Sequence, residues 1–353
     1  MPDEGVWSAQ DTTPAAIEAA LRELLKEQHA KSEAYAPARV LNMVAVVDRE
    51  WRGEIYNRLE GVGRYHASRT ILCAVEPRRE TIDAWVTVSA TTEDPKPGEI
   101  ALTRERVVLD IGPHHLPAID SIVDPLVVSD VATVCWAPHG HTEAVDALLK
   151  LSQVVLIDSI MEPDPRSAVH RARELAKDAY VVDLAWLRST PWRERIAATF
   201  DPAQWLEELG RLSSVAVRHR PDSAMAGVLV FGWLASRLGW EPGSLMQRNG
   251  ELFGRASARR GDVELLLQPN PEQSAPGLSG ITVETASGVS ISLERGPGGL
   301  SAKRRSRDGG ESSWTLLGAS RGEAGILGEG IRQALLRDTT YAPALECAAA
   351  MLG

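Results

Sequence analysis

The order of apolar and polar positions divides the chain into alternating helices and strands. Thr12 and Thr13 before Pro14 form a helix-start signal, and Ile17, Leu21, Leu24 and Leu25 recur at helical spacing to about Ser32. Ala38 to Val47 is a nearly unbroken apolar run, the pattern of a strand buried on both faces. It leads into a helical spacing at Trp51, Ile55, Leu59 and Val62. Arg69 to Val75 reads as a second strand. Thr81 to Thr87 and Arg106 to Ile111, joined through the turn-rich stretch Glu93 to Gly98, read as an antiparallel pair at one edge of the sheet. A short helix at Pro117 to Val123 precedes a strand at Asp130 to Trp136 and a helix at Thr142 to Leu151. A strand at Val154 to Asp158 and a helix at Arg166 to Lys177 follow. Units alternating in this way specify a mostly parallel sheet flanked by helices.

From Val181 the pattern is helical through Ala197, and Pro191 either breaks that helix or is accommodated in it. Pro202 to Leu209 adds a turn or two, Val215 to Arg218 a strand, and Ser223 to Leu238 a long apolar helix. After Gly250 the character changes. Arg255 to Ala258, Val263 to Gln268, Gly280 to Glu284, Val289 to Glu294 and Leu300 to Arg304 are short β segments at hairpin-like intervals, an antiparallel meander. The Gly- and Arg-rich stretch from Arg295 to Gly310 reads as a turn region, and Glu323 to Arg337 and Tyr341 to Leu352 as closing helices. With domains of roughly 100–200 residues, a chain of 353 makes two. The expectation is an α/β domain over residues 1–178, with a mixed and mostly parallel sheet flanked by helices. An α+β domain with helices and an antiparallel β-meander follows over 179–353.

Charge and cysteine content narrow the partners. Lys and Arg total 38 against 48 Asp and Glu, a formal net charge of −10 with no basic block, so nucleic acid is not expected as a partner. No apolar run approaches the roughly 18 residues that cross a bilayer, so no membrane partner is expected. Met1 to Gln10 carries Asp3 and Glu4 and lacks a basic start with an apolar core, which places the chain in the cytoplasm. Cys73, Cys135 and Cys347 are odd in number and form no CxxC pair. The first two fall in apolar strands and the third lies on the terminal helix, where a redox role has no support.

The motifs of common chemistries are missing. The junction Val46-Val47-Asp48-Arg49-Glu50-Trp51 contains no glycine and places two acids where a pyrophosphate needs bare amides. GxxxxGK[ST], GxSxG and HExxH do not occur. His114-His115 follows one strand and His139-Gly140-His141 another, and four imidazoles offer a zinc site in principle. Both clusters lie in Pro/Gly loops, however, and no second-shell carboxylate can be paired with them, so no metal and no cofactor is assigned. No catalytic residue is assigned either.

The densest polar and aromatic cluster runs from Val182 to Arg193. Asp183 can cap a helix beginning at Leu184. If that helix continues past Pro191, Trp186 and Arg193 share one face and Arg188 and Trp192 another; if Pro191 starts a new helix, those pairings fail. Trp and Arg are the commonest interface anchors, and the same residues serve equally for packing between domains. Arg69, at the start of a strand, either grips an anion or extends to water.

Ala38 to Val47, His66 to Leu72, Asp130 to Pro138, Asp183 to Trp186 with Trp192-Arg193, and Trp233 to Leu238 together resemble the OpcA family, described as glucose-6-phosphate dehydrogenase assembly proteins. The resemblance runs in order from about residue 12 to about residue 240 and more loosely beyond. It implies a non-enzymatic partner that supports oligomerisation and activity of glucose-6-phosphate dehydrogenase in the oxidative pentose phosphate pathway, in a family found in actinobacteria and cyanobacteria. The chain departs from the pattern at Ala67 and Ala132, where proline is expected, and around Pro269 to Gly310. The partner-binding candidates are Arg69, Asp183, Trp186, Arg188, Trp192 and Arg193. The alternative is a sugar-phosphate or nucleotide binding protein, a sensor or an enzyme, with its site at the strand ends near Arg69, His114 and His139.

Overall fold

The computed structural model describes residues 4–31, 35–36, 39–63, 68–90, 101–162, 164–296, 299–317 and 323–353. Ser32, Ala38, His66, Ala67 and the Glu93 to Gly98 connection lie outside them. The chain forms two compact units, one of Met1–Ile157, Leu175–Val182 and Leu327–Leu335, the other of Asp158–Glu174, Asp183–Ile326 and Leu336–Gly353. Among the described residues no helix is long and apolar enough to cross a membrane.

The elements run β1 (Glu4–Ala9), α1 (Pro14–Lys31), β2 (Tyr35–Ala36), β3 (Leu41–Asp48), α2 (Arg52–Gly63), β4 (Ser68–Val75), β5 (Asp83–Ala90), β6 (Ala101–Ile111), α3 (Ile119–Val123), β7 (Ala132–Trp136), α4 (Thr142–Leu148), β8 (Val154–Ile157), α5 (Pro165–Leu175) and β9 (Tyr180–Asp183). The sheet order is β1-β5-β6-β4-β3-β7-β8-β9, with β2 on β6. β6, β4, β3, β7 and β8 are parallel, while β5 is antiparallel to β6 and β1 to β5. β3 is buried from Leu41 to Val47 because both faces of a parallel sheet are covered, which is why its sequence is continuously apolar.

Two expectations are corrected in this unit. The antiparallel pair β5–β6 is not the edge, because β1 pairs beyond β5 through Trp7↔Val86. Residues 181–183 belong to a strand, since the β-branched Val181 and Val182 pair in the sheet before the helix begins.

Charges are buried in the same sheet. The Glu105 carboxylate, 1% exposed, accepts from Arg69 Nε at 2.6 Å and Arg39 Nε at 2.5 Å, and Arg69 also donates to the Leu126 carbonyl at 2.8 Å. Burial pulls the Arg69 guanidinium below its ordinary range, and Glu105 opposes that shift.

The second unit takes α5 from the first part of the chain and contains α6 (Leu184–Phe200), α7 (Ala203–Leu209), β10 (Leu212–His219), α8 (Ala224–Leu238), β11 (Glu241–Pro242), β12 (Met246–Arg248), β13 (Glu251–Ala258), β14 (Gly261–Pro269), β15 (Leu278–Thr285), β16 (Ser290–Gly296), β17 (Gly299–Arg305) and β18 (Glu311–Leu317). The chain then continues through α9 (Glu323–Leu336) to α10 (Tyr341–Leu352). The order β11-β13-β14-β10-β15-β16-β17-β18 inserts β10 between two meander strands, parallel to β14 and antiparallel to β15. The meander is thus interrupted by one parallel pair, and within the Arg295 to Gly310 stretch the expected β segment Leu300 to Arg304 lies in β17. Val215, Val217, Leu265, Leu267, Ile281, Val283, Ile291 and Leu293 alternate inward to form one buried face. α8 packs on α10 so closely that a Cβ on Gly232 would overlap the Ala344 carbonyl, which explains a glycine inside a buried helix.

Glu105→Ala leaves Arg69 buried without its counter-charge, and a loss of about 3–5 kcal/mol in urea unfolding is expected. Glu105→Gln, which keeps acceptor oxygen, should lose less, and equal losses would contradict the ion-pair account.

Candidate functional site

β3 connects outward to β4 on one side, and β7 lies on its other side, so the carboxyl ends of β3 and β7 flank a topological switch point, where open α/β sheets usually bind ligands. Here several of the protein's own side chains gather at these strand ends. The Trp51 ring, at the end of a 3₁₀ turn after Asp48, stacks on His139 with centroids 5.0 Å apart and planes at 27°. His141 sits at φ 50° before α4 and places Nε2 3.1 Å from Asp48 Oδ1. Burial pulls the His139 imidazole below its ordinary range, against the opposing fields of Asp48 and Glu54. Arg49 Nη1 reaches Asp110, at the end of β6, at 2.5 Å, and Arg52 Nη1 lies 3.0 Å from the same carboxylate. Both cations are therefore held by the fold.

His114 and His115 follow β6, so β6 and β7 do carry the two histidine clusters to one end of the sheet. Their rings lie against each other at 3.9 Å, and His115 Nδ1 accepts from the Gly112 amide at 3.2 Å. Among the described residues no group of three His, Cys, Asp or Glu side chains is placed to hold a metal. Arg69 stands at the amino end of β4, the opposite end of the parallel strands, and its guanidinium is bound to Glu105. The three residues of the small-molecule alternative are therefore not brought together. A cavity of about 330 Å³ lies beside α2, lined by Arg52, Gly53, Tyr56, Trp85, Thr87 and Val108. Its guanidinium, Arg52, is paired with Asp110 and stacked 5.5 Å over Trp85.

The remaining candidates meet where β9 enters α6. Asp183, 1% exposed, caps α6 through Oδ1, accepting from the Ala185 amide at 2.9 Å and the Ser159 amide at 3.1 Å. The Tyr341 hydroxyl donates to Oδ2 at 3.3 Å. Burial, reinforced by Asp158, pushes the Asp183 carboxyl up to about 6, while these hydrogen bonds pull the other way. Asp158 is held by a bidentate pair from Arg188 at 2.7 and 2.8 Å.

α6 runs through Pro191, so Trp186 and Arg193 share a face, and the Arg193 guanidinium lies 3.4 Å over the Trp186 ring. Arg193 donates to Ser189 Oγ, Thr190 Oγ1 and the Trp186 carbonyl, and burial lowers its guanidinium to about 10 against the field of Asp338. Trp186 Nε1 donates to Asp338 at 2.8 Å, and its ring meets Tyr341 edge-on at 5.6 Å. Trp192 is 2% exposed, with Arg295 5.9 Å from its ring centroid. All six partner-binding candidates are buried or nearly so, and the side chains of Arg69, Asp183, Trp186, Arg188 and Arg193 hydrogen-bond within the chain. Sequence reasoning missed Asp158, Asp338 and Tyr341, which complete this network. They lie 30 to 158 positions from their partners and carry no local signal.

Fold and site define a class: a protein with an α/β unit and an α+β unit in which the strand ends at the switch point of the α/β sheet carry stacked and charge-paired side chains in place of a glycine-rich turn. Two family models match it, described as the glucose-6-phosphate dehydrogenase subunit N-terminal domain, over residues 60–174, and C-terminal domain, over residues 179–345. The chain belongs to the OpcA family of glucose-6-phosphate dehydrogenase assembly proteins. Similar relatives provisionally named OxPP cycle protein OpcA occur in three cyanobacteria. The Synechococcus elongatus protein is 27% identical over 151 residues, 42% of this chain and 34% of that one. The Synechocystis protein is 24% identical over 139 residues, 38% and 29% of the two chains. The Nostoc punctiforme protein is 26% identical over 140 residues, 38% and 30%. The matched part thus spans about a third of the length of these relatives. A solved structure, apo scyllo-inositol dehydrogenase from Lactobacillus casei, is similar at TM-score 0.45 and 10% identity over 90% of this chain and 96% of that one.

The Asp183 carboxyl is raised from 3.8 to about 6, so its contribution to stability is fully present below pH 4 and is lost as pH rises through 6. A shift of this size corresponds to about 3 kcal/mol. Asp183→Asn keeps an acceptor without the charge, so the stability of the variant relative to the natural chain should rise by about that amount between pH 4 and pH 8. Urea unfolding at the two pH values measures it, and a pH-independent difference would contradict the assignment.

Proposed function

We propose that this chain binds glucose-6-phosphate dehydrogenase and favours its active oligomer, acting in the cytoplasm without a cofactor or a catalytic group of its own. The observation that carries this reading is the match of both halves of the chain to family models described as domains of a glucose-6-phosphate dehydrogenase subunit. The crevice supports it. The turn after β3 has no glycine, Trp51 in it stacks on His139, and Asp48 adds negative charge at the strand end where such sheets bind phosphate. An assembly factor raises activity only by binding the active oligomer more tightly than the inactive form, so its surface must distinguish the two. In this reading Arg69, Asp183, Trp186, Arg188, Trp192 and Arg193 act from inside, holding the shape of the docking surface rather than touching the partner.

Mixing the chain with the cognate dehydrogenase should produce co-elution in size exclusion with light scattering, a larger dehydrogenase oligomer and a rise in activity. The chain alone should show no activity and no heat with glucose 6-phosphate in calorimetry. Absence of a complex, or turnover by the chain alone, would overturn the proposal.

A further inference from the structure

The second unit's sheet is covered on the face formed by Val215, Val217, Ile281 and Val283, while its other face is open and strongly patterned. The register sets that open face in transverse rows across β13-β14-β10-β15-β16-β17-β18, with β15 the middle strand. In one row Arg255 and Glu264 stand on β13 and β14, and Arg305 and Glu311 on β17 and β18. Ser214, Glu284 and Ser290 fill the positions between them. Four residues further along the strands, Arg218 on β10 and Glu294 on β16 flank Gly280 on β15. The row between these two has the small Ala216, Thr282 and Ser292 at its centre.

We propose that this face pairs two copies of the chain, sheet against sheet, about a two-fold axis running along β15. Such an axis lays β13 over the β18 of the other copy, β14 over β17 and β10 over β16. Arg255 then meets Glu311, Glu264 meets Arg305 and Arg218 meets Glu294, and symmetry repeats each pair. Within one copy Arg218 already pairs with Glu294 at 2.9 Å, Arg255 with Glu264 at 3.2 Å and Lys303 with Glu311 at 2.9 Å, which accounts for the alternation of sign along the rows. The order of signs also reverses about β15, which pairing between neighbouring strands does not require, so each charge of Arg255, Glu264, Arg305, Glu311, Arg218 and Glu294 finds a second opposite charge in the strand that mirrors its own.

The centre permits close approach, because Ala216 faces Ser292 and Thr282 lies on the axis. Lys303 falls opposite Leu266, over which its aliphatic stem can lie. Glu284, on the axis, faces its own copy and is the unfavourable element, with Ser214 Oγ 3.2 Å away to share its charge. The rows hold Arg218, Arg255, Lys303 and Arg305 against Glu251, Glu264, Glu284, Glu294 and Glu311. The face is thus close to balanced in a chain of net charge −10, and a second acidic copy is not repelled there.

Seven strands at ~4.8 Å spacing by about seven residues at ~3.4 Å give a face of ~800 Å² per copy, the size of a standard stable interface. Pairing is independent of the dehydrogenase and needs only this chain.

Size exclusion with light scattering on the full chain should give the mass of two chains. Arg218→Glu and Glu294→Arg should each give one-chain mass, with dissociation at least about ten-fold more favourable, because each puts like charges together twice. An equimolar mixture of the two variants should regain the two-chain mass, since two acidic positions on one copy then face two basic ones on the other. Thermal melts by circular dichroism establish that both variants are folded. One-chain mass for the natural chain, two-chain mass for both single variants, or failure of the mixture to reassociate would each overturn the proposal. If the natural chain is monomeric and both substitutions abolish dehydrogenase binding, the face belongs to that partner instead, and self-pairing is refuted.

Discussion

A carboxylate shut away from water depends on the protein for every hydrogen bond it makes, and Asp183 takes its bonds from three separate stretches of chain. The Ser159 amide comes from a 3₁₀ turn, the Ala185 amide from the first turn of α6, and the Tyr341 hydroxyl from the start of α10. Losing any one leaves buried charge under-satisfied, so the three segments are fixed together. Trp186 then has a set place, with Asp338 on its indole nitrogen, Tyr341 at its edge and Arg193 on its face. Of the two roles the aromatic and arginine cluster could serve, anchor for a partner or internal packing, this constraint holds it inside.

The first unit uses buried charge in a related way on a single strand. β6 places Glu105 between Arg69 and Arg39, and Asp110 beneath Arg49 and Arg52. Both carboxylates face strand neighbours on each side, because β6 lies between β4 and β5 and has no open edge over this stretch. Such pairs add little net stability over well-packed apolar residues, but each forbids a register that would leave its partner unpaired. The antiparallel extension β1-β5-β6 is joined to the parallel strands at the strand that carries both pairs.

Elements whose evidence is local were legible in the sequence. α10 runs from Tyr341 to Leu352 as its periodicity indicates, and β3, β4, β7 and β8 fall within a few residues of their apolar runs. The capping role of Asp183 and the shared face of Trp186 and Arg193 followed from spacing once Pro191 was accommodated. Pairing partners were not legible. β1 has only alternate half-buried positions and a glycine, and its strand identity comes from β5. β10 gives no sign in its own residues that it will insert between β14 and β15. Burial of the candidate site was hidden for the same reason, since Asp158, Asp338 and Tyr341 reach it only through the tertiary fold.

The strand order β6-β4-β3-β7-β8-β9 is that of a dinucleotide-binding sheet, which makes the replacement at its switch point instructive. A phosphate-binding turn needs glycine so that backbone amides can close on the ligand, whereas Asp48-Arg49-Glu50-Trp51 supplies bulk and negative charge. The Trp51 indole, 40% exposed, stacks on His139 at this strand end. Asp48 lies 3.1 Å from His141 Nε2, and Arg49 and Arg52 have their partner in Asp110. The two guanidiniums that would attract an anion are thus held by carboxylates at neighbouring strand ends. The sheet keeps its geometry because the geometry comes from apolar strands buried on both faces, which the residues of the crevice do not affect.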